Sequence, residues 1–202
     1  PIRGITNHSS GKMGFAIARA AREAGARVTL VAGPVHLATP RGVTRIDVQS
    51  AQQMLAAAQS AAQDANVFVA TAAVADWRPA THSNQKIKKD GSGRAPTLAF
   101  TENPDILLTL AQGERARHGQ LYCVGFAAES ENLVEHAKAK RERKGIPLLV
   151  GNIGPLTFGQ DHNSLLLVDD AGVRELPRAP KQVLARELVA EIAARLPVWK
   201  PA

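Results

Sequence analysis

The sequence predicts a doubly wound α/β fold, a mostly parallel sheet with helices on both faces and a small antiparallel hairpin excursion. Three observations carry that prediction. Short β-branched runs alternate with amphipathic stretches of helix length along nearly the whole chain. A turn of small residues separates the first strand signal from the first helix, the arrangement of Rossmann-like sheets. The composition, 45% apolar but only 4% aromatic, is rich in the small and branched residues that let helices lie close on a sheet. At 202 residues one domain, 1–202, is the default, and a chain of this length buries about two-thirds to three-quarters of its unfolded surface.

Taken in order, a short strand signal over 3–6 precedes a helix from about Lys12 to Ala24, with Met13, Ile17, Ala20 and Ala24 on one face and Gly25 as its stop. Strands follow over 27–31 and 43–48. Ser50, with Gln53 three residues on, has capping-box spacing at the head of a second helix. A strand over 67–71 and, after a polar stretch, another over 97–100 lead to Asn103-Pro104, a cap residue and first-turn proline for a helix over 105–115. Residues 121–125 return to the sheet, a helix over 131–144 ends at Gly145, and a strand follows over 147–150. A hairpin-like pair, 164–168 and 173–176, precedes a last helix carrying Leu184, Leu188, Ile192 and Leu196. The irregular excursion 76–96 holds Pro79, Gly91, Gly93, Pro96 and five basic residues. It is too polar for a core and is expected to be a flexible basic loop or protruding hairpin. Because a strand signal starts almost at residue 1, the chain is expected to be the C-terminal part of a longer protein.

The net charge of +7 favours anionic partners without separating RNA, lipid headgroups and phosphorylated metabolites. A single cysteine, Cys123 in an apolar run, excludes an intrachain disulfide or CxxC site and suits a reducing, cytoplasmic setting. No window is long and apolar enough to cross a bilayer, so the chain reads as soluble. The histidines show no close pair at a ligand spacing, and Trp77 and Trp199 alone make no base-stacking platform.

Between the first strand and helix stands Asn7-His8-Ser9-Ser10-Gly11-Lys12-Met13-Gly14. The hydroxyls of Ser9 and Ser10 and the bare backbones of Gly11 and Gly14 allow an anion to approach a helix N-terminus. The competing reading is a serine cap with a packing glycine. Neither common nucleotide signature is present, since Ser9 takes the first glycine position of GxGxxG and Met13 replaces the Ser/Thr of a P-loop. After the second strand the chain has Val31-Ala32-Gly33-Pro34, where a dinucleotide site wants an acid. An NAD(P)-dependent oxidoreductase is therefore a minority alternative. A basic nucleic-acid-binding module, which would show steeply salt-dependent binding, ranks lower still.

The string from Asn7 to Gly14, continued by Phe15-Ala16-Ile17-Ala18, resembles the opening motif of bacterial phosphopantothenoylcysteine synthetase, the C-terminal half of a bifunctional coenzyme A enzyme. Further blocks agree in order: Val31 to Val35, Ala72 to Arg78, Lys86-Ile87-Lys88-Lys89, Asn103 to Ile106, and Gly125 to Glu129. The resemblance implies a cytoplasmic, homodimeric ligase that joins 4'-phosphopantothenate to L-cysteine with CTP and magnesium through an acyl-cytidylate. Such chemistry needs charge neutralisation around a triphosphate more than a protein nucleophile.

Carried over residue by residue, the resemblance assigns Asn7 to the acyl-cytidylate step and Arg3 to the same end of the first strand. Lys86 becomes a mobile charge on substrate phosphates. Nucleotide contact falls to Ser9, Ser10, Gly11 and Gly14, to Ala70, Thr71, Ala72 and Asp76, to Pro104, Asp105, Ile106 and Leu107, and to Phe126, Lys140 and Lys144. Asp76 could also orient the ribose or the magnesium carried by the triphosphate. Lys140 and Lys144 lie four apart, so one helix face can present both. The family usually has Asn-Asp after the strand over 147–150, whereas here Asn152 is followed by Ile153. The flavin-dependent decarboxylase half has no motif in this chain, so no flavin is expected in it.

Overall fold

The computed structural model describes residues 7, 9–81, 97–129, 133–153 and 161–196. The first strand signal, 3–6, lies outside them, as do residues 82–96 of the basic excursion. Helix α1 (Lys12–Glu23) buries Phe15, Ala16, Ile17, Ala18 and Ala20, a broader face than its periodicity implies, while Ala24 is an exposed C-cap. Strands β1 (Thr29–Ala32) and β2 (Thr44–Asp47) pair in parallel. Helix α2 (Ala51–Ala62) opens on the expected capping box: the Ser50 hydroxyl accepts from the Gln53 amide at 3.2 Å, and the Gln53 side chain accepts from the Ser50 amide at 3.2 Å.

Strand β3 (Val67–Ala70) is followed by β4 (Trp77–Pro79) and β5 (Phe100–Glu102), an antiparallel pair at the base of the basic excursion. The strand expected over 97–100 is displaced toward Glu102 because its register is set by β4, with Trp77 opposite Glu102 and Pro79 opposite Phe100. The single helix expected over 105–115 is two, α3 (Ile106–Ala111) and α4 (Glu114–Arg117), divided at Gln112-Gly113. Its cap is Asp105, not Asn103, and the Asp105 carboxylate accepts from the Leu108 amide at 2.9 Å.

Strand β6 (Tyr122–Glu129) is longer than the run over 121–125 foretold. After α5 (Leu133–Lys144) come β7 (Leu148–Ile153), β8 (His162–Asp169), β9 (Gly172–Pro180) and α6 (Lys181–Arg195). The five-stranded sheet runs β3-β6-β7-β8-β9, parallel from β3 to β7 and antiparallel through the β8–β9 hairpin.

Alternation along the central strands sorts the core into two layers. Tyr122, Val124, Leu148, Val150, Leu165 and Leu167 pack with Ile17 and Ala20 of α1 and with Leu184, Leu188 and Ile192 of α6. Cys123, Ala127, Leu149 and Val168 pack with Ala58 of α2, with Leu107 and Leu110 of α3, and with Ala137 of α5. Helices therefore cover both faces, as a doubly wound sheet requires. Gly125 permits a close approach: a Cβ there would lie 2.7 Å from Leu107 Cδ2 and 2.7 Å from Ile146 Cδ1.

Burial pushes the Tyr122 hydroxyl up to about 12 and the Cys123 thiol up to about 12. The unfolded chain thus loses these protons first as pH rises, the thiol from its ordinary value of 9.0. Their contribution to stability is complete below that value and is lost as pH climbs to about 12. Cys123 is 1% exposed, so iodoacetamide at mildly alkaline pH is expected to label it only after denaturation. Prompt labelling of the folded chain would contradict this.

Candidate functional site

The loop before α1 is built by Asn7. Its Oδ1 accepts from the Ser9 amide at 2.9 Å, a local turn, while its Nδ2 donates to the Ala73 carbonyl beyond β3. One neutral amide thereby ties the loop to the carboxyl end of the sheet. Ser9 and Ser10 follow, half-buried, and Gly11 takes the N-cap position of α1 with φ of +73°, a conformation that favours glycine. Gly11 has no side chain to accept from the first amides of the helix. Gly14 packs so closely on the segment after β3 that a Cβ there would lie 2.7 Å from Thr71 Oγ1.

Beside this contact opens a cavity of about 740 Å³. Gly14, Ala70, Thr71 and Ala72 form a wall of small residues, and Asp76 stands on the loop that follows. Pro104, Asp105, Ile106 and Leu107, Phe126, and Lys140 and Lys144 also line it. Nucleotide-contact positions read from five separate stretches of sequence thus converge on one space. Asn7, Ser9, Ser10 and Gly11 are not among its lining residues; they stand at the α1 end. The cavity also continues between β1 and β3, along Val28 to Val31 and Val67 to Val69, and its volume includes that extension.

The two lysines differ. Both line the cavity, but Lys144, with its side chain 12% exposed, forms an ion pair with Asp105. The cause is the docking of the α3 start against the end of α5: Asp105 caps α3 through one oxygen and meets Lys144 through the other. Burial lowers the Lys144 ammonium from its ordinary value, and the nearby Asp76 carboxylate opposes that shift. The cation thus pairs with Asp105 and feels the charge of Asp76. Lys140, one turn earlier, is half-buried.

A residue missed by sequence reasoning holds these segments together. Asn103, read as a helix cap, instead donates through Nδ2 to the Ala75 carbonyl at 2.8 Å, and its backbone amide donates to the Asp76 carbonyl at 2.7 Å. Arg78 in turn donates to Asn103 Oδ1 at 3.2 Å and to the Glu102 carbonyl. Both residues stand in blocks that carried the resemblance, the one signal that could have pointed to them. Lys12, in the opening motif, pairs with Asp161 at 2.7 Å. Asn152 lies opposite Ala128 at the end of β7, and Ile153 closes that strand. Arg3 and Lys86 lie outside the described residues. Among the described residues no group of three or more His, Cys, Asp and Glu could hold a metal, and no helix is long and apolar enough to cross a membrane.

A second cavity, of about 370 Å³, lies at the other end of the sheet beside Cys123, Arg141 and Asp170. Arg141 there donates to the carbonyls of Ile146 and Pro147 and to Asp170, so its role is to fasten the α5–β7 turn.

Residues 1–196 match the family model described as the DNA/pantothenate metabolism flavoprotein C-terminal domain. The chain belongs to that family. Among its relatives, the coenzyme A biosynthesis bifunctional protein CoaBC of Escherichia coli strain K12 is 46% identical over 199 residues, covering 96% of this chain and 48% of that protein. The CoaBC of Vibrio cholerae is 45% identical over 188 residues, 92% of this chain and 46% of the relative. The chain therefore spans about half the length of the curated relatives it matches. A crystal structure of the C-terminal domain of a CoaBC protein superposes with a TM-score of 0.79 at 36% identity, covering 98% of this chain and 88% of that one. A Cab2 mutant in complex with phosphopantothenate-cysteine, 17% identical with a TM-score of 0.79, shares the fold over 98% of this chain and 81% of its own.

Proposed function

We propose that this flavoprotein C-terminal domain is a phosphopantothenate–cysteine ligase that uses CTP. The observation that carries the reading is the convergence of Ala70, Thr71, Ala72, Asp76, Asp105, Phe126, Lys140 and Lys144 on one cavity at the carboxyl end of the sheet, in a chain of this family. In the first step a carboxylate oxygen of 4'-phosphopantothenate attacks the α-phosphorus of CTP, and the bond to pyrophosphate breaks. In the second the cysteine amine attacks the acyl carbon, the carbon–oxygen bond to CMP breaks, and the amine gives up a proton as the amide forms.

The small residues 70–72 let backbone meet the nucleotide, and Lys140 and Lys144 offset phosphate charge. Arg3 and Lys86 are proposed to add cations around the reacting groups. Asn7 gives one Nδ2 hydrogen to the Ala73 carbonyl, and its second would donate toward the acyl oxygen that becomes negative in the second step without itself adding charge. Magnesium commonly binds through one or two carboxylates together with substrate phosphates. Of the acids that line the cavity, Asp105 is ion-paired with Lys144, and Asp76, on the loop after β3, would hold the ion together with the triphosphate. Bound there, it would supply charge neutralisation on the triphosphate. No flavin is assigned to this chain. The reading is tested by cysteine-dependent pyrophosphate release compared across CTP, ATP, GTP and UTP.

The protein is further proposed to be cytoplasmic and homodimeric. Trp77, Leu98 and Phe100, on or beside the β4–β5 pair, are 59%, 48% and 48% exposed, an apolar cluster suited to a second copy of the chain. Trp77→Glu is expected to convert a dimer to monomers in light scattering with little change in melting temperature. A monomeric wild-type chain at micromolar concentration would remove the proposal.

A further inference from the structure

We infer that Asn103 and Arg78 are positioning residues for the nucleotide, holding the loop of Asp76 at a fixed distance from the helix start of Asp105. This rests on the ligase reading. Acids from two distant parts of the chain line the cavity, Asp76 after β3 and Asp105 after β5, and Lys144 pairs with Asp105 and feels the charge of Asp76. The β4–β5 ladder aligns backbones only from Trp77 and Glu102 outward, away from the acids. Across the remaining gap Asn103 makes three hydrogen bonds: its side-chain amide donates to the Ala75 carbonyl, its backbone amide to the Asp76 carbonyl, and its side-chain oxygen accepts from Arg78. Asn103 also precedes Pro104, whose ring fixes φ, so a registration set at Asn103 passes with little slack to Asp105.

Removing the Asn103 side-chain amide leaves the ladder, the α3 cap, the Lys144 pair and the backbone bond to Asp76 in place, but it cuts the ties to Ala75 and Arg78 and so loosens the Asp76 loop against them. The test is steady-state kinetics on the full chain for each of the three substrates. Asn103→Ala is expected to raise the KM for CTP about tenfold, the scale of a lost hydrogen bond amplified by a misplaced charge, with a smaller change in kcat. The KM values for 4'-phosphopantothenate and cysteine should stay within about twofold. Arg78→Lys, which keeps a cation and part of the bonding, should fall between wild type and Asn103→Ala and carries the test if the latter does not fold. Thr101→Ala, opposite Arg78 in the same ladder, should leave the KM for CTP unchanged, which separates registration from general weakening of the hairpin. An unchanged KM for CTP, or an equal rise for all three substrates, overturns the inference alone. A folded wild-type chain that consumes no CTP overturns the ligase reading and the positioning role with it.

Discussion

Asn7→Asp is expected to let the acyl-cytidylate form and to stop its use, so that the intermediate accumulates. The substitution keeps an oxygen able to accept from the Ser9 amide, so the local turn before α1 can persist. It replaces the donor aimed at the Ala73 carbonyl with a second oxygen and adds a full negative charge. Activation places its developing charge on phosphate, surrounded by cations. Aminolysis instead develops an oxyanion at the acyl carbon, where a carboxylate repels it. Loss of one such donor slows a reaction by about a hundredfold to a thousandfold, and an adjacent charge adds to that. Mass spectrometry of quenched turnovers, run beside thermal melts, checks the expectation. A variant that unfolds or loses CTP binding with no intermediate would make Asn7 a structural turn residue.

The second large effect is expected at Lys144. Lys144→Met removes the cation that pairs with Asp105 and offsets Asp76, and leaves both carboxylates at the cavity without it. Affinity for CTP should fall by at least about tenfold, since a charged contact becomes a repulsion. Stability should change much less, because the Asp105 side chain is 41% exposed and still caps α3. Calorimetric titration with CTP, paired with thermal melts, distinguishes the two outcomes. An affinity within about twofold of wild type would mean that Lys144 serves only to dock α5 on α3.

What was legible in the sequence was local. The capping box at Ser50 and Gln53 and the buried stripe of Leu184, Leu188 and Ile192 are written within a turn or two of chain, and both appear in the structure. The turn from Asn7 to Gly14 was legible as a small-residue loop at a helix start, whereas its contact with residues 71–73, made by Asn7 and Gly14, was not. What was not legible depended on distant partners. Asn103 and Asp105 satisfy the same capping preference, and the choice between them is made by Ala75 and Arg78, more than twenty residues earlier. Lys140 and Lys144 are equivalent by spacing, yet only Lys144 meets Asp105, because α3 docks on the last turn of α5. The division of α3 from α4 at Gly113 gave no periodic signal strong enough to show.

The central claim is that the pantothenate carboxylate is activated by attack on the α-phosphorus of CTP. It is tested most directly by turning over 4'-phosphopantothenate labelled with oxygen-18 in its carboxylate, with cysteine, CTP and magnesium, and weighing the products. The attacking oxygen stays with phosphorus when the amine displaces the nucleotide. CMP should therefore carry one heavy oxygen, the amide product should keep the other, and pyrophosphate should carry none. Label in inorganic phosphate with CDP as co-product, or amide formation with no label in CMP, would contradict the account.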